Sequence, residues 1–96
     1  MNRQPKFKFR LYVAGNTPNS AQALTNLTAI CHSYLPRRHE IEVVDVFKEP
    51  ERALTATILM TPTLVKVAPL PEVRIVGTLS QESVVVQACG MAKSPA

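Results

Sequence analysis

A chain of 96 residues suits one compact domain, and its 46% hydrophobic and 19% charged content is that of a soluble globular protein rather than a disordered tail. The net charge of +4 is unevenly placed: Arg3, Lys6, Lys8 and Arg10 precede any acid, Arg37-Arg38 form a second basic cluster, and Glu40, Glu42, Asp45, Glu49 and Glu51 follow closely. Basic runs this sparse, with few aromatics to stack on bases, argue against a nucleic-acid binder and leave either a solvated surface or an acidic protein partner.

Phe7, Phe9, Leu11 and Val13 alternate with Lys8, Arg10 and Tyr12, the period of a strand with one buried face. Ala14-Gly15-Asn16 reads as a turn. Thr17 then stands where it can cap a helix whose first position is Pro18, a place where the missing N–H costs nothing. Leu24, Leu27, Cys31 and Tyr34 recur at helical spacing through to Leu35, and Pro36 ends the helix. A second strand over residues 41–46 follows the loop 37–40, and its apolar character on both faces predicts an inner place in the sheet. Strand, helix and strand make a βαβ unit with parallel strands.

The charged turn 48–52 leads to a short helical stretch over 51–59, broken by Thr61-Pro62-Thr63. Residues 64–67 and 73–76 read as strands separated by Pro69-Leu70-Pro71 and closed by Gly77. Ser80 is placed to cap a last helix over 81–91. That helix contains Val84-Val85-Val86, a β-branched run of strand preference, so local preference there is divided. Such conflict is expected at a switching element or where tertiary packing overrides propensity. The segment 92–96 reads as a flexible tail.

Cys31 and Cys89 are far apart and lack metal-ligand spacing, so neither a disulfide framework nor a zinc site is expected. Both lie in apolar helical settings, where a free cysteine acts as a small buried hydrophobe. His32 reads as a helix-surface residue and His39 as a loop residue, without the partners of a metal site. Asp45, in an otherwise apolar strand, is a general-base candidate only if a second acid or histidine joins it; ending the strand and accepting backbone hydrogen bonds is the alternative. Three glycines cannot build a phosphate loop. No cofactor is expected. Neither a signal peptide nor an apolar run of about 18 residues is present, so a cytoplasmic protein without membrane contact is expected.

Strand, turn, helix and strand followed by Met60-Thr61-Pro62-Thr63-Leu64 resemble the thioredoxin-type fold, yet the loop that holds Cys-x-x-Cys in that fold reads Asn16-Thr17-Pro18-Asn19-Ser20 here. Disulfide exchange has no nucleophile there. The block from Leu11 to Ser20, LYVAGNTPNS, resembles the opening of the KaiB family. Val43-Val44-Asp45-Val46, Thr61-Pro62-Thr63-Leu64, Lys66-Val67, Pro69-Leu70-Pro71 and Arg74-Ile75-Val76-Gly77 continue the resemblance in order, over about residues 7–91.

The resemblance implies an α/β, thioredoxin-like single domain over 1–96 that is not an enzyme and binds a KaiC-like ATPase ring. KaiA or a SasA-like kinase would be further partners. It also implies a metamorphic protein, resting as a homotetramer or homodimer in the order βαββααβ and binding partners as a monomer in the order βαβαββα; the resting order is the one expected here. Pro71, Ala88, Cys89 and Gly90 match positions that influence the switch, and Asp45, Lys66 and Arg74 are the partner-binding candidates, with Lys66 and Arg74 placed near the surface. The chain departs from clock members at Gln22, Thr57, Ala88 and Gly90, and divergent members are associated with stress adaptation. A sensor domain of a kinase pathway and a thioredoxin-like oxidoreductase remain as alternative readings.

Overall fold

The computed structural model describes residues 6–91. Their order is β1 (Phe7–Val13), α1 (Pro18–Tyr34), β2 (His39–Asp45), α2 (Pro50–Thr55), β3 (Thr63–Ala68), β4 (Val73–Val76) and α3 (Glu82–Cys89). This is βαβαββα, the order implied for the partner-bound form and not the resting order that was expected. The strands lie in one sheet in the order β2-β1-β3-β4. β2 is parallel to β1, with Phe7 opposite His39 and Val13 opposite Asp45, whereas β3 runs antiparallel to both β1 and β4.

The alternation in β1 sorts the molecule into two layers. Phe7, Phe9, Leu11 and Val13 pack with Leu64, with Ala23, Leu27, Ile30 and Cys31 of α1, and with Val85 and Cys89 of α3. Truncating a buried residue such as Leu11 or Leu27 to alanine at a site of this kind costs about 2–5 kcal/mol. On the opposite face Tyr12, Val44 and Val65 form a smaller core, covered by Ala56 and Ile58 at the end of α2.

The divided preference of the last segment is settled by packing. Val85 and Cys89, four residues apart, are buried against α1 and β1, so one turn-spaced pair anchors the helix while Val84 stays exposed. Tyr34 Oη donates to Glu82 at 2.9 Å and Asn26 Nδ2 donates to the Thr78 carbonyl at 2.8 Å, tying α3 and its approach to α1.

Smaller expectations also change. β2 is an edge strand, not an inner one: Val44 is buried beneath α2, but Val43 on the other face is exposed. Thr17 occupies the N-cap of α1 without a side-chain bond, and the first residue before α3 is Gln81 rather than Ser80. α2 is one and a half turns, shorter than 51–59, because Thr57 takes a left-handed φ of 57° and stops it. His39 is the first residue of β2, its Nδ1 at 2.7 Å from the Leu35 carbonyl. The expected tail, 92–96, lies outside the described residues.

Candidate protein-interaction site

The loop following β1 closes with its own polar groups. Ser20 is buried at the start of α1 and its Oγ accepts from the Ala14 N–H at 3.1 Å. Asp45, at the end of β2, accepts from Gly15 N–H at 3.2 Å and from Phe47 N–H at 2.9 Å through the same Oδ1. One carboxylate thus braces the β1–α1 and β2–α2 loops against each other. Gly15 has φ 56°, and any side chain there would meet the Phe47 ring at about 3.6 Å.

This end of the sheet offers no thiol. Cys31 and Cys89 are both buried in the α1–α3 core. Burial pushes the Cys31 thiol up to about 12, with Cys89 adding to the effect. Burial also raises Cys89, against a smaller downward pull from Lys66. Thiols held protonated in an apolar core are poor nucleophiles. Among the described residues, no group of three or more His, Cys, Asp or Glu is arranged to hold a metal ion.

What this part of the chain does offer is exposed apolar surface. Phe47, Leu54, Leu59 and Met60 stand outside both cores, with Phe47 73% and Leu59 88% exposed. All four come from the stretch joining β2 to β3 through α2. Large hydrophobes gathered in one short stretch make it a candidate docking surface.

Beside α2 the sheet face is only partly covered, leaving an open groove of about 550 Å³ over Tyr12 and Val65, edged by Arg10, Arg52 and Arg74. Glu42 organises its rim. Arg52 reaches it with two nitrogens, at 2.7 and 3.0 Å, and Arg10 Nε at 2.9 Å. The bonds from Arg52, then those from Arg10, hold the Glu42 carboxyl down at about 2. Arg74 pairs with Glu72 at 3.2 Å and donates to the Thr57 carbonyl at 3.3 Å, so it links β4 to the end of α2.

Of the residues singled out from sequence, Asp45 braces the loops beside Phe47 and Arg74 borders the groove. Lys66 is a correction. It is 4% exposed on the α1–α3 face of β3, where its Nζ donates to the Cys89 carbonyl at 3.3 Å and lies 5.8 Å from the centre of the Phe7 ring. The strand register puts it opposite Phe9 and Val73, on the core side, so it is no surface residue here. Pro71 is exposed in the β3–β4 turn, and Ala88, Cys89 and Gly90 form the end of α3. The structure therefore brings Lys66 to Cys89 but leaves Pro71 apart from them. Phe47, Leu54, Leu59 and Met60 escaped sequence reading because single apolar residues in loops and in one short helix have no period. Their one signal is apolar side chains between the two strands that neither strand could bury.

The KaiB domain family matches residues 10–91. The chain belongs to the KaiB family. It is similar to the circadian clock oscillator protein KaiB of Prochlorococcus marinus, 44% identical over 86 residues that cover 90% of this chain and 80% of that protein. In fold it is similar to the N-terminal domain of Synechococcus elongatus SasA, with TM-score 0.73 and 18% identity, covering 91% of this chain and 83% of that one. Mitochondrial thioredoxin 3 of Saccharomyces cerevisiae superposes with TM-score 0.70 and 16% identity, covering 91% and 79%. The thioredoxin-like fold is thus present in a KaiB-family chain whose first loop has no cysteine. Among the described residues, no helix is long and apolar enough to cross a membrane.

Proposed function

We propose that this chain is a non-enzymatic regulator of the clock type, a single cytoplasmic domain that acts by docking onto a KaiC-like ATPase ring and altering its phosphorylation state or output. The observation that carries this reading is the exposure of Phe47, Leu54, Leu59 and Met60 on a KaiB-family fold whose thioredoxin-like loop has no thiol. A face with no thiol and much apolar surface suits capture of a protein rather than turnover of a substrate. Asp45 would hold the Phe47 loop in its docking shape, and Arg74 would fix the end of α2. A KaiA-like or SasA-like protein would compete for or join the same assembly where one is present. Clock timing and stress adaptation both fit such a module.

The same reading includes a second arrangement of the C-terminal half, adopted by a resting homotetramer or homodimer. Two packings separated by a few kcal/mol would leave a minor population of roughly 0.1–10%. The divided preference of Val84-Val85-Val86 supports it, with Pro71 and residues 88–90 as the switch positions. Size exclusion over a range of concentrations, followed by hours of incubation with the KaiC-like protein of the same organism, tests both parts. A concentration-dependent oligomer and slow complex formation are expected. A single rigid monomer at every concentration would overturn the switching, and no complex after prolonged incubation would overturn the docking.

A further inference from the structure

The two basic clusters, some thirty residues apart in sequence, are one cluster in space. Parallel pairing sets Phe7 opposite His39 and Lys8 opposite Glu40, and the Phe7 N–H donates to the Arg38 carbonyl at 2.8 Å. Lys6 and Lys8 at the start of β1 therefore share one pole of the sheet with Arg37 and Arg38 of the α1–β2 turn. Glu40 is the acid among them, bonded to Lys6 at 3.0 Å and pulled down in pKa by Lys6 first and by Lys8 to a lesser degree. Of the four cations gathered here, Lys6 is the one bonded to a carboxylate.

Elsewhere among the described residues the arginines are paired with carboxylates. Arg10 and Arg52 share Glu42, Arg52 also meets Glu49, and Arg74 meets Glu72. The pole is different, since Arg37 and Arg38 meet no carboxylate among the described residues. Two further observations mark their turn. Arg38 Nε is buried without a hydrogen-bond partner among the described residues, a state that costs stability. Arg37 is held at φ 61°, in the left-handed region that a long side chain adopts only at a cost. An unmatched charge, an unbonded guanidinium nitrogen and a strained backbone coincide in two adjacent residues.

We propose that this pole, formed by Lys6, Lys8, Arg37 and Arg38, is a second docking site that takes an acidic protein segment, a short run of Asp or Glu. Carboxylates suit it because guanidinium groups bind them through paired N–H···O bonds. A nucleic acid suits it less: Phe47, the most exposed aromatic ring, belongs to the opposite end of the sheet. The site goes beyond the docking face of α2, because it uses the N-terminal end of β1 and β2 rather than their C-terminal ends. One chain can thereby hold two proteins at opposite poles.

The test is an NMR titration of the full-length, isotope-labelled chain with a short oligoglutamate peptide, at ionic strengths of about 0.02 M and about 0.3 M. Shifts are expected at residues 6–8 and 36–40, with affinity falling at the higher salt. Arg37→Glu alone, at an exposed turn position, and Arg37→Glu with Arg38→Gln should each weaken binding, the pair by roughly tenfold. Phe47→Ala should leave this titration unchanged while weakening capture of the KaiC-like protein, which keeps the two sites distinguishable. Shifts scattered over all basic residues, or equal affinity in the Arg37 variants, would overturn the proposal. So would a single-stranded oligonucleotide that binds the same residues more tightly than the peptide does.

Discussion

Lys66 Nζ and the Cys89 carbonyl meet at 3.3 Å across the core, joining the inner strand β3 to the last turn of α3. The lysine is buried with no carboxylate beside it among the described residues, so its charge is offset there by one carbonyl, by the negative end of the helix and by the Phe7 ring. Several kcal/mol of desolvation oppose that modest set of contacts. Lys66→Met keeps the volume and removes the charge. We expect it to stabilise this arrangement by about 1–3 kcal/mol in urea unfolding. A loss of stability of similar size would show that the contact outweighs the buried charge.

The ends of α2 and α3 are closed alike, but with different residues. Ile58 N–H donates to the Ala53 carbonyl with Thr57 at φ 57°, and Met91 N–H donates to the Val86 carbonyl with Gly90 at φ 69°. Glycine takes the left-handed conformation freely, whereas a β-branched residue does so under strain. Thr57→Gly should therefore raise stability by about 1 kcal/mol, and Gly90→Ala should lower it by a similar amount. No atom lies within 4 Å of the position a Gly90 Cβ would take, so the second effect is one of backbone alone. Opposite signs in denaturant midpoints are the check, and equal signs would contradict the shared cap.

Glu42 gives the fold an acid dependence. Its carboxyl is held at about 2 by Arg52 first and Arg10 second. Because the folded pKa lies below the unfolded value of about 4.3, the contribution is complete above that value and is lost as pH falls towards about 2. The side chains are half-exposed, so the effect is small. Glu42→Gln should flatten the pH dependence of the urea midpoint across that window. An unchanged slope would assign the acid sensitivity to other carboxylates.

Cys31 and Cys89 should label slowly with a thiol reagent in the native state, at a rate set by opening of the α1–α3 core. The chain should not reduce a disulfide substrate. Reduction that disappears in Cys31→Ser would restore the oxidoreductase reading.

Much of this architecture is legible in the residues. The alternation from Phe7 to Val13 fixes both faces of the sheet, and Val73–Val76 is the strand that its pattern predicts. The place of β2 is not legible, because an apolar run on both faces serves an inner strand and equally an edge strand with α2 over Val44. Nor is the burial of Lys66, since a lysine between two valines reads as the solvent side of an alternating strand. Its side follows from pairing with Phe9, a long-range register that no local pattern encodes. Thr17 holds the N-cap position of α1 that the sequence predicts but makes no side-chain bond there, and Ser20 Oγ accepts from the loop backbone instead.

The exposed stretch between β2 and β3 is where the account is most open to measurement. A pull-down with the KaiC-like ATPase of the same organism, comparing the native chain with Phe47→Ala/Leu59→Ala after hours of incubation, tests it most directly. Both side chains are solvent-exposed, so circular dichroism and the unfolding midpoint should be unchanged. A complex with the native chain is expected, with at least a tenfold loss in the variant, about 1.4 kcal/mol or more. No complex with the native chain, or equal capture by the two, would contradict it.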